Sequence, residues 1–414
     1  MWKGSLMPAE PTYVIVGASM AGAKAAETLR EEGFGGSIVL LGDEQERPYE
    51  RPPLSKGYLL GKDDKASIYV HEEAWYAENE VDLRLGVTAT ALDLSARQVV
   101  LADGGTVGYE RVLLATGAAP RRLSVPGADL DGVLYLRRVG DSERLQAALR
   151  GGGQVVIVGA GWIGLEVAAA AREAGCEVTV VEPEAGALHR HLGPELGGMF
   201  ADLHREHGVA FRFGESVIEL RGSGGKISAA VTSSGEELPA ELVVIGIGAV
   251  PATRLAADAG LDVANGVIAD AGLRTSAHEV FVAGDAANAF HPLYGKHIRV
   301  EHWANALNGG PAAAKSMLGQ GISYDAVPYF YSDQYDLGME TAGLPEPGSY
   351  DQIVYRGDRD ARELIAFWLS GGAVVAGMNV NVWDVNDDIQ ALISARRPVD
   401  EARLADPDIP IAEV

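Results

Sequence analysis

The order of apolar and polar residues repeats itself in two distant parts of the chain. Residues 12–16 (TYVIV) and 154–158 (QVVIV) are mostly apolar or β-branched, and each run leads directly into a glycine-rich loop. A stretch rich in alanine and glutamate follows each loop and ends at a glycine, Gly33 or Gly175, before a second apolar run begins. Such runs indicate buried parallel strands, and the residues between them favour a helix. The pattern therefore predicts two βαβ motifs of the doubly wound α/β type.

The repeat extends beyond these motifs. Each is followed by an apolar strand that ends in a glycine turn shortly before a proline, at residues 111–121 (RVLLATGAAPR) and 241–252 (ELVVIGIGAVPA). A third strand of this kind, at residues 278–288 (HEVFVAGDAAN), has no counterpart in the second repeat. We therefore predict a split first domain, residues 8–120 and 250–325, with a second domain, residues 121–249, inserted into it.

From residue 326 onward the pattern changes. Residues 328–338 (PYFYSDQYDLG) are rich in aromatics, and the runs at 352–358, 363–372 and 373–383 are typical of antiparallel strands. A helix is predicted near residues 386–397 (NDDIQALISARR). The expected fold class is α/β, with two Rossmann-like dinucleotide-binding domains and a C-terminal α+β interface domain over residues 326–414.

The composition narrows the function classes. The net charge of −24 and the isoelectric point of about 4.7 argue against nucleic acid, because phosphate binding needs basic patches. No apolar run approaches the length of a membrane helix, and residues 1–17 do not read as a signal peptide. The single cysteine, Cys176, excludes an internal disulfide and fits a reducing cytoplasm. Met7 is an alternative start to Met1.

The two loops, residues 17–22 (GASMAG) and 159–164 (GAGWIG), lie where a strand turns into a helix. Free backbone N–H groups and the helix dipole hold a pyrophosphate at such a point. A helix-start turn without a ligand is the alternative interpretation, but here the strand–loop–helix context occurs twice. Two dinucleotide sites in one chain imply electron transfer between FAD and a nicotinamide, because a flavin accepts hydride from NAD(P)H.

Several motifs make the chain resemble the FAD-dependent NADH:ferredoxin reductases of the putidaredoxin reductase and biphenyl dioxygenase ferredoxin reductase family. These motifs are GASMAG, RPYERPPLSKGYL, LLATGAAPR, GAGWIGLE, VFVAGDAAN and EHWANAL, and the resemblance includes PYFYSDQYD near the C-terminus. It implies a glutathione reductase-like fold in which the first domain binds FAD and the second binds NADH. It also implies a ferredoxin partner, with a 2Fe–2S or similar cluster, that serves an oxygenase.

The resemblance further implies the residues that contact each cofactor. Those expected to contact FAD are Gly17, Ser19, Ala21, Gly22, Asp43, Lys56, Ala89, Thr116, Gly117, Arg137, Gly284, Asp285 and Trp303. Those expected to contact NADH are Gly159, Gly161, Trp162, Ile163, Gly164, Glu182 and Gly248. For Arg137 and Trp303, ordinary use at the surface or in the core is the alternative.

Three of these positions carry a physical argument of their own. Glu182 ends the run EVTVVE, where an acid hydrogen-bonds the ribose hydroxyls and repels a 2′-phosphate, so we expect NADH rather than NADPH. Asp43 lies at the end of the second strand of the first βαβ motif, as Glu182 does in the second motif. For its neighbours Glu44 and Glu46, the alternative to a role in binding is that they belong to a charged turn. Ser19 replaces the middle glycine of the first loop with a small side chain, whose hydroxyl can donate to a phosphate oxygen.

Two further expectations concern the flavin. Trp162 stands where related flavoproteins have an aromatic residue that covers the flavin until nicotinamide displaces it; a core tryptophan is the alternative. Glu166 matches a glutamate that pairs in relatives with the lysine beside the flavin, here Lys56. We expect this ion pair to position the ring electrostatically, without proton transfer, and we take Lys56 and Glu166 as the candidate catalytic residues.

The absence of certain residues excludes other classes of flavoprotein with this fold. Residues 34–60 contain no cysteine, whereas disulfide reductases of this fold need a pair there and coenzyme A disulfide reductases and NADH peroxidases need one. We expect Cys176 to be a small buried hydrophobe. No metal is expected, because no further ligands have suitable spacing beside the histidines His189, His191, His204 and His207.

The electron acceptor is less closely specified. An NADH oxidase, a rubredoxin- or nitrite-reductase-linked reductase, and a slowly turning NADH-binding flavoprotein like apoptosis-inducing factor remain alternatives. The net charge gives no long-range attraction for an acidic ferredoxin, so we expect docking on a local patch. The candidate patch has an aromatic centre and an arginine rim, formed by Tyr329, Phe330, Tyr331, Arg138, Arg396 and Arg397.

Overall fold

The computed structural model describes residues 11–414, so the alternative start at Met7 lies outside the described residues. The described chain divides into two compact units. Unit 1 comprises residues 11–50, 68–119 and 250–326. Unit 2 comprises residues 51–67, 120–249 and 327–414. Each unit contains a parallel sheet that is built around one of the two apolar repeats.

Strands and helices alternate along much of the described chain. Up to residue 120 the elements are β1 (Thr12–Val16), α1 (Met20–Glu31), β2 (Ser37–Leu41), α2 (Glu73–Glu78), β3 (Val81–Arg84), β4 (Ala89–Asp93), β5 (Gln98–Leu101), β6 (Thr106–Gly108), β7 (Arg111–Leu114) and β8 (Ala118–Pro120). Between residues 121 and 251 they are β9 (Val133–Tyr135), α3 (Val139–Leu149), β10 (Gln154–Val158), α4 (Trp162–Glu173), β11 (Glu177–Glu182), α5 (His189–Glu206), β12 (Ala210–Phe213), β13 (Val217–Ser223), β14 (Lys226–Thr232), β15 (Glu237–Pro239), β16 (Leu242–Ile245) and β17 (Ala249–Pro251).

The remaining elements follow in two groups. Up to residue 326 they are α6 (Arg254–Asp258), β18 (Val267–Ala269), β19 (Val280–Val282), β20 (Ala287–His291), β21 (Lys296–Ile298) and α7 (Trp303–Met317). The last group is β22 (Tyr329–Gln334), β23 (Leu337–Gly343), β24 (Gln352–Asp358), β25 (Glu363–Ser370), β26 (Ala373–Val380), α8 (Asn386–Ala395) and α9 (Glu401–Ala405). Short 3-10 helices lie at Pro52–Ser55, Lys65–Ile68, Gly284–Ala286 and Ile411–Glu413.

Unit 1 is organised by a five-stranded parallel sheet with the order β19-β7-β1-β2-β3. β1 lies at its centre, and Val14 and Ile15 are fully buried on opposite faces, which explains the unbroken apolar run. The strand β19 comes from the third strand signal of the sequence. Helices α1 and α7 approach each other at backbone distance, since a Cβ on Gly310 would lie 2.3 Å from the Ala21 carbonyl oxygen. This contact holds the helix that follows the first glycine-rich loop.

Unit 2 contains a second parallel sheet with the order β12-β11-β10-β16-β9 and a three-stranded sheet formed by β13, β14 and β15. β10 is again central, and its pairing with β11 places the end of β11 beside the loop that follows β10. The expectation of two Rossmann-like sheets is thereby confirmed.

The C-terminal part of unit 2 is a five-stranded antiparallel sheet with the order β22-β23-β26-β25-β24, packed against α8. The predicted antiparallel strands and the final helix are confirmed. Phe367 and Trp368 of β25 are fully buried, whereas β22 buries two polar residues, Ser332 and Gln334. Within residues 11–414, no helix combines the length and the apolar character that crossing a membrane requires.

Candidate functional site

The first glycine-rich loop is a tight turn between β1 and α1. Gly17 has a φ of +122°, and a Cβ there would lie 2.0 Å from the carbonyl oxygen of Ala115. A Cβ on Gly22 would lie 2.0 Å from the carbonyl oxygen of Gly17. Backbone packing therefore requires both glycines, and it brings the N-terminus of α1 against the ends of β1 and β7.

The second loop, between β10 and α4, has the same construction. Gly159 has a φ of +104°, and a Cβ there would lie 2.4 Å from the carbonyl oxygen of Gly246. A Cβ on Gly164 would lie 2.1 Å from the carbonyl oxygen of Gly159. In both units a helix thus begins where a central parallel strand ends, with first-turn N–H groups that have no partner within the helix.

The middle residue of each loop is constrained differently from the glycines at the start and the end of the loop. Gly161 has φ and ψ of −81° and −177°, which any residue adopts, and a Cβ there would have no atom within 4 Å. Neither the backbone nor the packing of the protein therefore requires glycine at this position. A ligand whose phosphates lie against the loop backbone favours the smallest residues at this position. The loop consequently fits the pyrophosphate of a dinucleotide.

Ser19 occupies the corresponding position before α1. Its φ and ψ of −127° and −162° are also extended, so a serine is accommodated without strain. Ser19 is the N-cap residue of α1, yet its side chain makes no capping hydrogen bond. This hydroxyl is not needed by the helix, which is consistent with its predicted donation to a phosphate oxygen.

Glu182 is held beside the second loop by two backbone N–H groups. Its Oε2 accepts from the Ala160 N–H at 2.8 Å, and its Oε1 accepts from the Glu184 N–H at 2.9 Å. Each carboxylate oxygen keeps a lone pair for a further donor, such as a ribose hydroxyl. Arg190, the next cation along the sequence, donates through Nε to Glu184 at 2.7 Å and is therefore engaged by an acid.

The acids after β2 divide into two groups. The Glu44 carboxylate accepts from the Tyr49 hydroxyl, and the Glu46 carboxylate accepts from the Tyr69 hydroxyl, each at 2.6 Å. Glu44 thus bonds to a nearby tyrosine and Glu46 to a tyrosine further along the chain, which agrees with the alternative interpretation that these two acids have a structural role in the turn. Asp43 lies two residues after Leu41, the last residue of β2, and its contact with the FAD ribose stays a prediction.

The other predicted FAD contacts lie in both units. In unit 1, the Thr116 hydroxyl donates to the carbonyl oxygen of Ala252 at 2.8 Å, which fixes the turn that contains Gly117. Gly284 and Asp285 form a short 3-10 helix after β19, and a Cβ on Gly284 would be 3.4 Å from the Ala21 side chain. The remaining unit 1 residues are Ala89 at the start of β4 and Trp303 at the start of α7, whereas Lys56 and Arg137 belong to unit 2.

Unit 2 contains a buried carboxylate. Glu166 on α4 is 4% exposed, and its Oε1 lies 2.6 Å from the Lys56 Nζ. The expected ion pair is therefore present. The Ser332 hydroxyl also donates to Oε1 at 2.7 Å, and the Ser55 hydroxyl donates to Oε2. A buried ion pair is tolerated only when further hydrogen bonds satisfy its remaining atoms, and the two serines supply them.

Sequence reasoning missed both serines, although each lies in a motif that it used. Ser55 immediately precedes Lys56 in PPLSK, and Ser332 is a polar residue at an inward position of the aromatic strand β22. A polar residue on the buried face of a strand is a usable signal, because burial without a partner is costly. On the other face of β22, the Tyr331 ring centroid lies 5.4 Å from the Lys56 Nζ and contributes a cation–π contact.

Trp162 begins α4 and belongs to an aromatic cluster in unit 2. Its ring is perpendicular to that of Phe200 at 5.5 Å between centroids and lies 4.9 Å from that of Phe330. Trp162 is half-buried, and its neighbour Ile163 is 45% exposed. The predicted contacts of both residues, and of Gly248, with NADH stay predictions.

Cys176 is fully buried, as expected, and burial raises the pKa of its thiol, which makes it unreactive. His204 is fully buried, and its imidazole forms a hydrogen bond with the side chain of Gln334. In the part of the chain that the structure describes, no group of three or more His, Cys, Asp or Glu side chains is arranged to hold a metal ion.

Comparison with known proteins identifies chains that are related over nearly the whole length. The family described as Pyridine nucleotide-disulphide oxidoreductase matches residues 11–310, and Reductase C-terminal matches residues 329–414. The chain is 41% identical to the anthranilate 1,2-dioxygenase system ferredoxin–NAD(+) reductase component of Burkholderia cepacia, over 97% of this chain and 98% of that protein.

Two further matches concern putidaredoxin reductase. The chain is 36% identical to putidaredoxin reductase CamA of Pseudomonas putida, over 99% of this chain and 97% of that protein. Among solved structures, the covalent putidaredoxin reductase–putidaredoxin complex matches with a TM-score of 0.94 and 36% identity, over 98% of both chains.

Proposed function

Because the chain belongs to the pyridine nucleotide-disulphide oxidoreductase family and carries a Reductase C-terminal domain, we propose that it is an FAD-dependent ferredoxin–NAD(+) reductase. The observation that carries this function is the pair of glycine-rich loops with the same geometry in one chain. Two dinucleotides bind, FAD and NADH. When bound, FAD accepts hydride from NADH and releases electrons singly to an iron–sulfur carrier.

The residues of the two loops bind and orient the cofactors. In unit 1, the backbone N–H groups at the start of α1 and the Ser19 hydroxyl bind the FAD pyrophosphate, and Asp43 and Asp285 bind its ribose and ribityl hydroxyls. In unit 2, the open position at Gly161 admits the NADH pyrophosphate, and Glu182 accepts hydrogen bonds from the adenosine ribose. Trp162, at the start of α4 beside this loop, would be the residue that the nicotinamide displaces when NADH binds.

The Lys56–Glu166 pair supplies a fixed electrostatic environment rather than a proton. Both carboxylate oxygens of Glu166 accept hydrogen bonds from Lys56, Ser55 or Ser332, so the carboxylate cannot rotate freely. The Lys56 ammonium is thereby held at one place, where it would orient the flavin ring in the FAD-loaded protein. Charges that are oriented before the reaction stabilise charge redistribution without a reorganisation cost.

The proposed acceptor is a 2Fe–2S ferredoxin that serves an oxygenase. The relative from Burkholderia cepacia is named as a component of a dioxygenase system, and the matched solved structure is a complex of a reductase with putidaredoxin. A cytoplasmic location is also proposed, and the single buried, unpaired cysteine supports it.

Anaerobic stopped-flow spectroscopy of the FAD-loaded protein tests this function. We expect NADH to bleach the flavin, and the reduced protein then to reduce a 2Fe–2S ferredoxin from an aromatic dioxygenase system in a steady-state assay. Rubredoxin and dioxygen serve as competing acceptors at equal concentration. Slow bleaching with no turnover would indicate an NADH-binding flavoprotein, and faster turnover with rubredoxin or dioxygen would contradict the assignment of the acceptor.

A further inference from the structure

Three buried polar residues extend inward from the Glu166 carboxylate. Ser332 and Gln334 lie two positions apart on β22, so that both point to the buried face of the strand, and His204 lies on α5. Their exposed fractions are 0%, 1% and 0%. Polar side chains at such positions are costly unless they are hydrogen-bonded, and these three bond to one another.

The bonds form one continuous chain. The Ser332 Oγ lies 2.7 Å from Glu166 Oε1, the Gln334 Nε2 lies 3.1 Å from Ser332 Oγ, and the His204 Nε2 lies 2.8 Å from Gln334 Oε1. Beyond His204, the Tyr335 hydroxyl lies 3.5 Å from Nδ1. We refer to Ser332, Gln334 and His204 as the Glu166 relay.

The direction of every bond in the relay follows from the carboxylate at its end. An ionised carboxylate only accepts, so the Ser332 hydroxyl donates to Glu166 and its oxygen accepts from the Gln334 amide N–H. The Gln334 carbonyl oxygen then faces His204, which must carry its proton on Nε2. Burial lowers the pKa of His204 to about 4, so the imidazole is neutral near pH 7 and Nδ1 is left as an acceptor for Tyr335.

We propose that the Glu166 relay positions the Glu166 carboxylate, so that His204 on α5 governs the Lys56–Glu166 pair through two intervening side chains. This inference rests on the proposed function only for the role of the pair beside the flavin. His204 and Gln334 are positioning residues, since neither touches the pair directly. The relay keeps Ser332 in the rotamer that donates to Glu166, and Glu166 in turn holds the Lys56 ammonium.

The state of Lys56 can be read without catalysis. The ion pair holds the Lys56 Nζ against Glu166 in a largely buried position, so displacement of Glu166 leaves Lys56 more open to attack on acetic anhydride. Acetylation of Lys56 is measured by mass spectrometry in the FAD-loaded and FAD-free protein, with exposed Lys62 as the internal reference in every sample. We expect Ser332→Ala to raise the relative labelling rate of Lys56 by about twofold to tenfold, the range of one hydrogen bond.

Variants of His204 test whether the effect passes along the relay. His204→Leu removes the donor to Gln334 and is expected to raise Lys56 labelling, whereas His204→Gln keeps an N–H near the Nε2 position and is expected to restore it. The double variant Ser332→Ala/His204→Leu should label no faster than Ser332→Ala alone, because His204 acts through Ser332. Additive effects in this cycle would overturn the relay.

A matched control separates positioning from general loss of stability. Thr232 in unit 2 is fully buried and its hydroxyl bonds to Ser234, so Thr232→Val also removes one buried hydroxyl. We expect this control to leave Lys56 labelling unchanged. If His204→Leu does not fold, Gln334→Met breaks the relay at similar volume. Unchanged labelling in Gln334→Met and Ser332→Ala would refute the proposal.

A kinetic readout connects the relay to the flavin. The relay variants should lower the limiting rate of flavin reduction at saturating NADH by about twofold to tenfold and leave the NADH dissociation constant unchanged. If the wild-type protein reduces no ferredoxin, the proposed function fails while the labelling result still stands. If labelling responds but the limiting rate does not, the relay positions the pair without influence on hydride transfer, and that half of the inference is overturned.

Discussion

The Oε2 of Glu182 accepts a hydrogen bond from the Ala160 N–H at 2.8 Å, so the acid at the end of β11 is fixed to the glycine-rich loop that follows β10. The second oxygen accepts from the Glu184 N–H, which leaves the carboxylate little rotational freedom. A fixed negative charge beside this loop repels a 2′-phosphate more strongly than a mobile one, because it cannot turn away.

We expect the wild-type protein to prefer NADH over NADPH by at least roughly tenfold in kcat/KM, which is about 1.4 kcal/mol. Glu182→Ala should narrow this gap because it removes the charge. Glu177→Ala is the matched control, since Glu177 is an exposed acid at the opposite end of β11. Steady-state kinetics with both nucleotides measure the effect, and equal use of both by the wild type would contradict the role of Glu182.

Gly161→Ala should impair NADH binding without harm to the fold. The backbone is extended and the Cβ has open space, so we expect the free energy of unfolding to change by less than about 1 kcal/mol. The methyl group occupies the approach of the pyrophosphate, and the NADH dissociation constant should rise by at least about tenfold, or 1.4 kcal/mol. Gly159→Ala is the contrast, because its positive φ and the nearby Gly246 carbonyl predict loss of stability instead. An unaltered NADH dissociation constant in Gly161→Ala would show that this loop does not contact the bound nucleotide.

Trp162 is expected to gate the flavin. Addition of NAD⁺ should change tryptophan fluorescence or the flavin spectrum, and Trp162→Ala should alter the rate of flavin reduction by NADH. Phe200→Leu serves as the control, because it removes one ring contact of the cluster and leaves the indole in place. Reduction kinetics that are the same in Trp162→Ala and the wild type would assign Trp162 to the aromatic core alone.

The arginine pair after α8 is the candidate ferredoxin contact. Arg396 and Arg397 are exposed, and the Arg397 guanidinium lies 3.5 Å from the Val414 carbonyl oxygen. Arg396→Glu with Arg397→Glu should lower kcat/KM for ferredoxin in a salt-dependent way, because rim charges act mainly on association and are screened within about 8 Å at physiological salt. Flavin reduction by NADH should stay intact.

The control for this pair reverses two charges elsewhere on unit 2, with the double variant Arg144→Glu/Arg150→Glu. Arg144 is exposed on α3, and Arg150 is exposed directly after the helix. A loss of ferredoxin turnover that is equal in both double variants would indicate a net-charge effect. Turnover that ignores both the salt concentration and the Arg396/Arg397 reversal would refute the patch, though not the reductase.

His204 should contribute to acid sensitivity. Its pKa is lowered to about 4 by burial, from an ordinary value of 6.5, so the unfolded chain binds a proton more readily than the folded one between these values. The stability contribution is therefore complete above pH 6.5 and is lost as the pH falls through this window, by up to about 3 kcal/mol. In His204→Gln this component should disappear.

Urea denaturation at pH 7.5 and pH 4.5 tests the sign, with the exposed His278→Gln as the control. We expect the stability difference between the wild type and His204→Gln to shrink at the lower pH. A difference that is the same at both pH values would show that His204 does not titrate in this range.

Much of the architecture was predictable because it depends on local patterns. The two apolar runs required central parallel strands, and the glycines that follow them, such as Gly17 and Gly159, required turns that no other residue makes. The unpaired strand signal at residues 280–282 likewise appears as the edge strand of the first sheet. The Lys56–Glu166 pair was predictable only through the family resemblance, since no spacing rule joins residues so far apart in the chain.

The surroundings of that pair were decided by tertiary structure. Ser55, Ser332, Gln334 and His204 come from a 3-10 helix, a strand and a long helix that are distant in sequence, and each taken alone reads as an ordinary polar residue. Whether a polar side chain costs or contributes free energy depends on which partners folding brings within hydrogen-bond distance, and local propensity carries no information about that. The sequence by itself therefore determined the two strand–loop–helix motifs, whereas only the packed structure decided how a buried carboxylate is held in place.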